Sequence, residues 1–238
     1  MNQFLREAMF YGEDAVASLS QKHVMIFGIG GVGSYTAEAL GRAGIGKLTL
    51  VDNDTVGLTN LNRQLCALHS TLGQYKSDVM AERLRDINPE AEIISLPKLY
   101  DEAHKEDFFS LQPDYIVDAI DLVSCKLSLI ETALSRNIPI ISSMGTGNKQ
   151  DPTRFRIADI NQTSGCHLAR VIRRELKNRG IAHHKVLFSD ETPITPLPLE
   201  LPPPGRRSIP ASLSWVPSCA GLLLAGYVVQ ELLGVNRS

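Results

Sequence analysis

A glycine-rich turn set between a wholly apolar run and a helical pattern constrains this chain more than any other feature. Residues 24–29 (Val-Met-Ile-Phe-Gly-Ile) run into Gly28-Ile29-Gly30-Gly31-Val32-Gly33, and residues 32–43 carry small and apolar positions at helical spacing. A continuous apolar run of that length predicts a strand buried on both faces of a parallel sheet. Residues 47–51 (Lys-Leu-Thr-Leu-Val) predict the next strand, with Asp52 at its carboxyl end. Strand, glycine turn, helix and strand make one βαβ unit. In that setting the glycines let the backbone approach a phosphate, and the helix N-terminus offers free N–H groups and a partial positive charge. Asp52 follows Gly33 by nineteen residues, where a carboxylate accepts ribose hydroxyls. The backbone of Gly28, Gly30, Gly31 and Gly33 is thus expected to cradle an adenine nucleotide. The loop alone leaves NAD and ATP open.

The alternation continues. Residues 75–86 predict a helix stopped by Asn88-Pro89, 91–96 a strand, 101–111 an acidic surface helix, 115–119 a buried strand, 124–136 a helix and 138–142 a strand. Beyond Gly147 the pattern changes. Residues 153–160 alternate like a half-exposed strand, 167–179 form a basic amphipathic helix, and 193–210 are proline-rich and irregular. A last apolar helix is expected over 217–233. The expected fold is α/β, a doubly wound, mainly parallel Rossmann-like sheet with a C-terminal mixed extension. Residues 1–148 are read as a nucleotide-binding domain with an N-terminal arm, and 149–238 as an extension of the same fold.

Composition narrows the class. Lys and Arg number 24 against 26 Asp and Glu, for a net charge of −2. That balance excludes a protein holding nucleic acid by bulk charge and leaves room for a local basic patch. The cysteines Cys66, Cys125, Cys166 and Cys219 form no CxxC pair, so a zinc clip of the usual spacing is not expected. Together with a start lacking a basic segment and an apolar core, this places the chain in a reducing cytoplasm. The apolar run 219–229 is interrupted by Gln230 and Glu231. It falls short of the roughly 20 residues a membrane span needs, so a buried helix is expected and no membrane partner.

The stretch after Asp52 distinguishes between nucleotides. It reads Asp52-Asn53-Asp54-Thr55-Val56, then Asn60-Leu61-Asn62-Arg63-Gln64, then Lys76. A dehydrogenase fingerprint does not require these cations, whereas splitting a triphosphate does. Arg63 can grip phosphate with two N–H groups, and Lys76 can act as a point charge. Asp121 closes the fourth predicted strand on the same sheet edge and can hold Mg²⁺ on phosphate oxygens.

With GxGGxG, DxDxVxxTNxNRQ, a downstream Lys and DAID in hand, residues 1–150 resemble the ubiquitin-activating-enzyme-like (ThiF/MoeB/HesA) adenylating enzymes. Four further segments are similar to the tRNA threonylcarbamoyladenosine dehydratase branch and extend the likeness over nearly the whole chain. They are Gly12-Glu13-Asp14, Ser143 to Lys149 with Asp151 to Phe155, Leu168 to Leu176, and Ser212-Leu213-Ser214-Trp215-Val216-Pro217. The resemblance implies ATP-dependent cyclisation of N6-threonylcarbamoyladenosine beside the tRNA anticodon, with ATP and Mg²⁺ as cofactors and a homodimer as the working form. It implies that Asp52 holds the ribose, that Asp54 belongs to the cofactor-binding set, and that Asn60, Arg63, Gln64 and Lys76 handle the phosphates. Asp121 would hold Mg²⁺ or align the reacting phosphate, and Arg6 would reach the partner subunit's γ-phosphate site. The alternative within the superfamily is an adenylyltransferase that activates the C-terminal glycine of a sulfur-carrier or ubiquitin-like protein.

A tRNA needs a surface. Residues 168–187 carry Arg170, Arg173, Arg174, Lys177, Arg179 and Lys185 against Glu175, with Arg206 and Arg207 in the proline-rich stretch. A basic helix suits backbone phosphates. Arg154 and Arg156 can extend the patch. His183 and His184 read as surface histidines able to stack on a base. The resemblance also raises a sulfur-transfer partner protein, since related activating enzymes form a thioester or persulfide on a cysteine in their second half. Cys166 precedes the basic helix there, but the proposed chemistry needs no thiol and the residue otherwise reads as small and partly buried.

Overall fold

The computed structural model describes residues 2–200 and 209–235. Two short helices, α1 (Leu5–Tyr11) and α2 (Glu13–Leu19), lead into β1 (His23–Phe27). Then come α3 (Gly33–Arg42), β2 (Lys47–Val51), α4 (Lys76–Ile87), β3 (Glu92–Leu96), α5 (Lys105–Phe109), β4 (Tyr115–Asp118) and α6 (Val123–Ser135). The second half holds β5 (Ile140–Ser143), β6 (Phe155–Asp159), α7 (His167–Asn178), β7 (Lys185–Ser189) and α8 (Trp215–Leu232). Among the described residues the strands form one sheet in the order β3-β2-β1-β4-β5-β7-β6. All neighbours are parallel except β6 and β7. The mainly parallel α/β sheet expected from the sequence is present, and β7 carries it past residue 148 by pairing with β5.

The strand order turns back at β1 and β4, whose carboxyl ends open a crevice. β1 and β4 are buried along their whole length, which explains why they read as unbroken apolar runs. One face of the sheet is covered by α3, α4 and α8, with Ile26, Leu40, Leu48, Leu84 and Leu224 in a common core. The other is covered by α5, α6 and α7, with Phe27, Phe108, Leu129 and Ile172. α8 packs along α3 and buries Val216, Ala220, Leu224 and Val228. Gly221 makes that approach possible, because a β-carbon there would stand 2.4 Å from the Val32 carbonyl oxygen. The apolar C-terminal run is therefore largely core, with Leu222 and Leu223 exposed, and no described helix is long and apolar enough to cross a membrane.

Three expectations change. The acidic segment 101–111 is helical only over α5; its acidic residues Glu102, Glu106 and Asp107 face solvent as expected, but Phe108 and Phe109 are buried and anchor it, with Phe108 in a ring cluster with Phe27 and Tyr100. Lys185, counted with the basic segment 168–187, lies on β7, between β5 and β6, and not beside the basic residues of α7. His184 is 3 % exposed and donates or accepts at Ser142, so only His183 of that pair is a surface residue.

Candidate active site

The crevice at the β1/β4 switch point is a cavity of about 550 Å³. Gly28, Gly30 and Gly31 form its floor, and Asp52, Asp54, Asn60, Arg63, Gln64, Lys76 and Asp121 line its walls. Every nucleotide-site residue expected from the sequence lines this cavity except Gly33, and Arg6 is absent from it as well. Gly33 has another duty. A β-carbon on it would fall 1.8 Å from the Gly28 carbonyl oxygen, so it lets the first turn of α3 close against the loop. Gly28 itself has φ +86° and would drive a β-carbon to 2.7 Å from the Ala119 oxygen.

Asp52 is fixed from two sides. Its Oδ2 accepts from the Ile29 backbone N–H at 2.6 Å, and its Oδ1 accepts from the Asp54 N–H at 2.8 Å. The carboxylate thus ties the glycine loop to the following turn and keeps lone pairs for a ligand hydroxyl. Burial pushes its pKa up, against the downward pull of the Asp54 N–H, the Lys76 charge and the Ile29 N–H. Lys76 opens α4 with its side chain buried and its Nζ 2.7 Å from Asp54 Oδ2. Asn60 Oδ1 accepts from the Gly57 N–H at 3.0 Å and so shapes the turn that carries Arg63. The half-buried Arg63 guanidinium donates from Nη1 to the Thr59 carbonyl at 2.8 Å and to Asn62 Oδ1 at 2.9 Å, which orients the fork before any ligand arrives. Burial lowers its pKa from the ordinary arginine value.

Among the other wall residues Lys98, Leu99 and Tyr100 carried no legible signal, whereas Thr146, Ser212 and Pro217 fall in segments that carried the resemblance. Lys98, Leu99 and Tyr100 enter from the loop after β3, and Lys98 adds a third cation to the wall, 3.5 Å from Asp107. Thr146, Ser212 and Pro217 close the opposite side. Ser212 arrives through a tethered strap. Asn62 Nδ2 donates to the Ser212 carbonyl at 2.9 Å, the Ala211 N–H donates to Asn148 Oδ1 at 2.7 Å, and Trp215 Nε1 donates to the Gln150 carbonyl at 3.0 Å.

The arrangement suits a nucleotide whose phosphates are to be cleaved: a glycine backbone, a tethered carboxylate, two oriented cations and an acidic residue on one sheet edge. The model described as the ThiF family matches residues 4–238. The chain belongs to the ThiF family. A tRNA threonylcarbamoyladenosine dehydratase of Bacillus subtilis is 45 % identical over 98 % of this chain and 95 % of that protein. The molybdopterin-synthase adenylyltransferase of Escherichia coli is 32 % identical over 65 % of this chain and 61 % of that one. The solved structure of the E. coli tRNA N6-threonylcarbamoyladenosine dehydratase in complex with ATP is similar at a TM-score of 0.88 and 32 % identity, covering 98 % of this chain and 94 % of that one.

The remaining expected residues of this ThiF-family chain lie away from the cavity. Arg6 is exposed on α1, with Nη1 3.9 Å from Met9 Sδ. On α7, Arg170, Arg174 and Lys177 are exposed at i, i+4 and i+7 and form one stripe, while Ala169, Ile172 and Leu176 face the core. Arg173 is half-buried and spends its Nη1 on the Thr163 carbonyl and hydroxyl, at 2.8 and 2.6 Å, so it braces the helix start. Arg154, just before β6, and Arg156, on β6, are exposed and both pair with Asp190, as Arg174 pairs with Glu175 on α7. Arg206 and Arg207 lie outside the described residues. Cys166 is buried at the start of α7, beneath Gly145. Beside it a smaller hollow of about 300 Å³ is lined by Ser164, His167 and Arg170.

Proposed function

We propose that this chain is an ATP-dependent tRNA-modifying cyclase that dehydrates N6-threonylcarbamoyladenosine next to the anticodon. The observation that carries the reading is the convergence of the glycine loop, Asp52, Arg63, Lys76 and Asp121 on one cavity, in a chain aligned over 98 % of its length with the B. subtilis dehydratase.

A carboxylate oxygen is a poor leaving group at neutral pH. In the proposed sequence the threonyl carboxylate attacks the α-phosphorus of ATP, the bond to the β-phosphate breaks, and pyrophosphate leaves. The carbamoyl group then attacks the activated acyl carbon, AMP departs and a ring closes. The net change in the nucleoside is the loss of one water. No covalent nucleophile from the protein is required, so catalysis rests on position and charge.

Each residue has a part in that scheme. The Gly28, Gly30 and Gly31 backbone receives the phosphates and Asp52 the ribose. Arg63 and Lys76 stabilise the charge that grows as phosphorus is attacked. Among the described residues no group of three or more His, Cys, Asp or Glu could hold a metal alone. The carboxylates on the cavity wall fit Mg²⁺, which keeps several waters and binds through one or two carboxylates plus phosphate oxygens. Asp121 is the carboxylate we assign to it, and the ion would neutralise phosphate charge. Lys98, on the same wall, supplies a further cation for the nucleotide.

The tRNA is assigned to the stripe Arg170, Arg174 and Lys177, with Arg173 bracing it and Arg206 and Arg207 as further phosphate contacts. The working form is assigned as a homodimer. α1 leaves Leu5, Met9 and Phe10 exposed, at 44 %, 71 % and 81 %, which is costly in water unless covered by a partner. Arg6 lies on that same helix, and in the dimer it would serve the partner's cavity. Cys166 takes no part, and a sulfur-transfer partner is not needed for this chemistry.

The test is direct. The protein is incubated with ATP, Mg²⁺ and tRNA carrying the modification, and the nucleosides are weighed by mass spectrometry. A loss of about 18 Da, matched by AMP and pyrophosphate release, supports the reading. AMP release that instead requires a Gly-Gly-ended carrier protein would move the chain to the adenylyltransferase reading.

A further inference from the structure

Behind the Asp121 wall lies an ion pair that the scheme above leaves unused. Lys126 on α6 and Asp118 at the end of β4 are both fully buried, with Nζ 2.7 Å from Oδ2. Every polar atom of the pair has a partner. Lys126 Nζ also donates to the Ser143 carbonyl at 3.0 Å. The Ser142 hydroxyl donates to Asp118 Oδ2 at 2.6 Å, and Asp118 Oδ1 accepts from the Ile120 backbone N–H at 3.0 Å.

The network reaches one element further. Since the Ser142 proton points at Asp118, the 2.8 Å contact with His184 requires His184 Nε2 to carry a proton and donate it to Ser142 Oγ. Nδ1 is then a bare acceptor, and it is one of two buried side-chain polar atoms without a partner among the described residues. Burial, assisted by the Lys126 charge, pushes the His184 pKa down to about 3, so the imidazole is neutral. Side chains from β5 and α6, with His184 at the entry to β7 behind Ser142, therefore hold Asp118, whose Oδ1 alone takes the Ile120 backbone N–H.

That amide sits in the turn forming the cavity wall. Ala119, Ile120, Asp121 and Leu122 all line the cavity. On the far side of the turn, the Ala119 N–H donates to the Phe27 carbonyl at 2.8 Å, and the Ala119 oxygen presses on Gly28. Lys126 also binds the end of β5, which leads into Thr146 on the opposite wall. A buried charge pair is poor insulation for a core, because apolar residues of similar volume serve stability as well or better. It does hold two strand ends and a turn in a single register.

We propose that Asp118 and Lys126, braced by Ser142 and His184, are positioning residues for carboxylate activation, acting through the 119–121 turn on Asp121. The proposal rests on the cyclase reading for its activity readout and on no reading for its structural one. The full-length Ser142→Ala and Lys126→Met proteins are compared with wild type in ATP-dependent turnover of modified tRNA, in ATP affinity, and in hydrogen exchange of the 119–122 amides. Ser142→Ala leaves the ion pair intact and serves if Lys126→Met does not fold. Expected are a kcat lowered about 5-fold for Ser142→Ala and about 50-fold for Lys126→Met, with ATP affinity within about 2-fold of wild type. Combined with Asp121→Ala, each substitution costs less than about 2-fold more, because its effect passes through Asp121. Exchange of the 119–122 amides accelerates while that of β2 does not. Multiplicative losses in the double variants, or unchanged exchange in that turn, overturn the proposal. A wild-type protein inert toward modified tRNA overturns the cyclase reading instead, and the exchange data still decide the role of the pair.

Discussion

Lys76 Nζ stands 2.7 Å from Asp54 Oδ2, with the lysine side chain 6 % exposed and the aspartate side chain 64 % exposed. The ammonium is held at the cavity wall by a carboxylate that itself faces water. Such a pair keeps the lysine aimed while leaving it able to turn toward a phosphate. Lys76→Ala is expected to lower kcat for AMP release about 10²- to 10³-fold, the usual cost of losing one preorganised charge. Asp54→Asn keeps the lysine but loosens its aim, and its kcat falls about 10-fold. Steady-state kinetics at saturating tRNA separates the two, and equal losses would show that Asp54 does more than orient.

Gly33 fixes how closely α3 approaches the phosphate loop. With a β-carbon 1.8 Å from the Gly28 oxygen, Gly33→Ala cannot be absorbed without moving the loop or the helix. The expected cost is about 3 kcal/mol or more in stability, together with loss of ATP binding. Gly30→Ala faces only Gln64 Nε2, at 3.7 Å, and should fold normally. Thermal denaturation of both variants, with and without ATP, tests the contrast.

Much of this was legible in the sequence because buried parallel strands and phosphate loops leave strong local marks. β1, β2, β4 and the Gly28–Gly33 turn follow from apolar runs and glycines alone. The acidic and cationic wall from Asp52 to Lys76 follows from side chains that packing does not need. Other parts left no mark. None of the residues of α1 is buried in this chain, so its apolar residues Leu5, Met9 and Phe10 gave no core contact by which to place it. β7 is five residues long and follows two histidines, which hid it in a basic segment. Lys126 looks like any helical lysine, and only the tertiary fold brings it to Asp118. His184 gave the opposite impression of its true place for the same reason.

The stripe on α7 predicts a selective defect. Replacing Arg170, Arg174 and Lys177 with Glu should raise KM for tRNA at least 10-fold and leave ATP affinity unchanged. Each true phosphate contact removed flattens the salt dependence of tRNA binding by about one unit of slope. Arg173→Ala should differ from these, lowering the melting temperature because it leaves the Thr163 carbonyl without its donor. Filter binding across a range of ionic strength measures the slopes, and an unchanged slope in the triple variant would remove α7 from the tRNA face.

Stability should depend on pH through histidines that the fold keeps neutral. His184 has an ordinary pKa of 6.5 that burial lowers to about 3, and burial lowers that of His23 as well. Between those two values the unfolded chain binds more protons at His184 than the folded one. Unfolding free energy therefore rises with pH across this window, and acidification removes stability. From pH 7.5 to 5.0 the His184 contribution to that loss is about 2 kcal/mol. His184→Gln keeps an N–H able to reach Ser142 and cannot titrate, so its urea midpoint should fall by less over the same interval. If both proteins lose stability in parallel, His184 is not the group that acid charges, and the neutral, Nε2-protonated imidazole assigned behind the Asp121 wall is wrong.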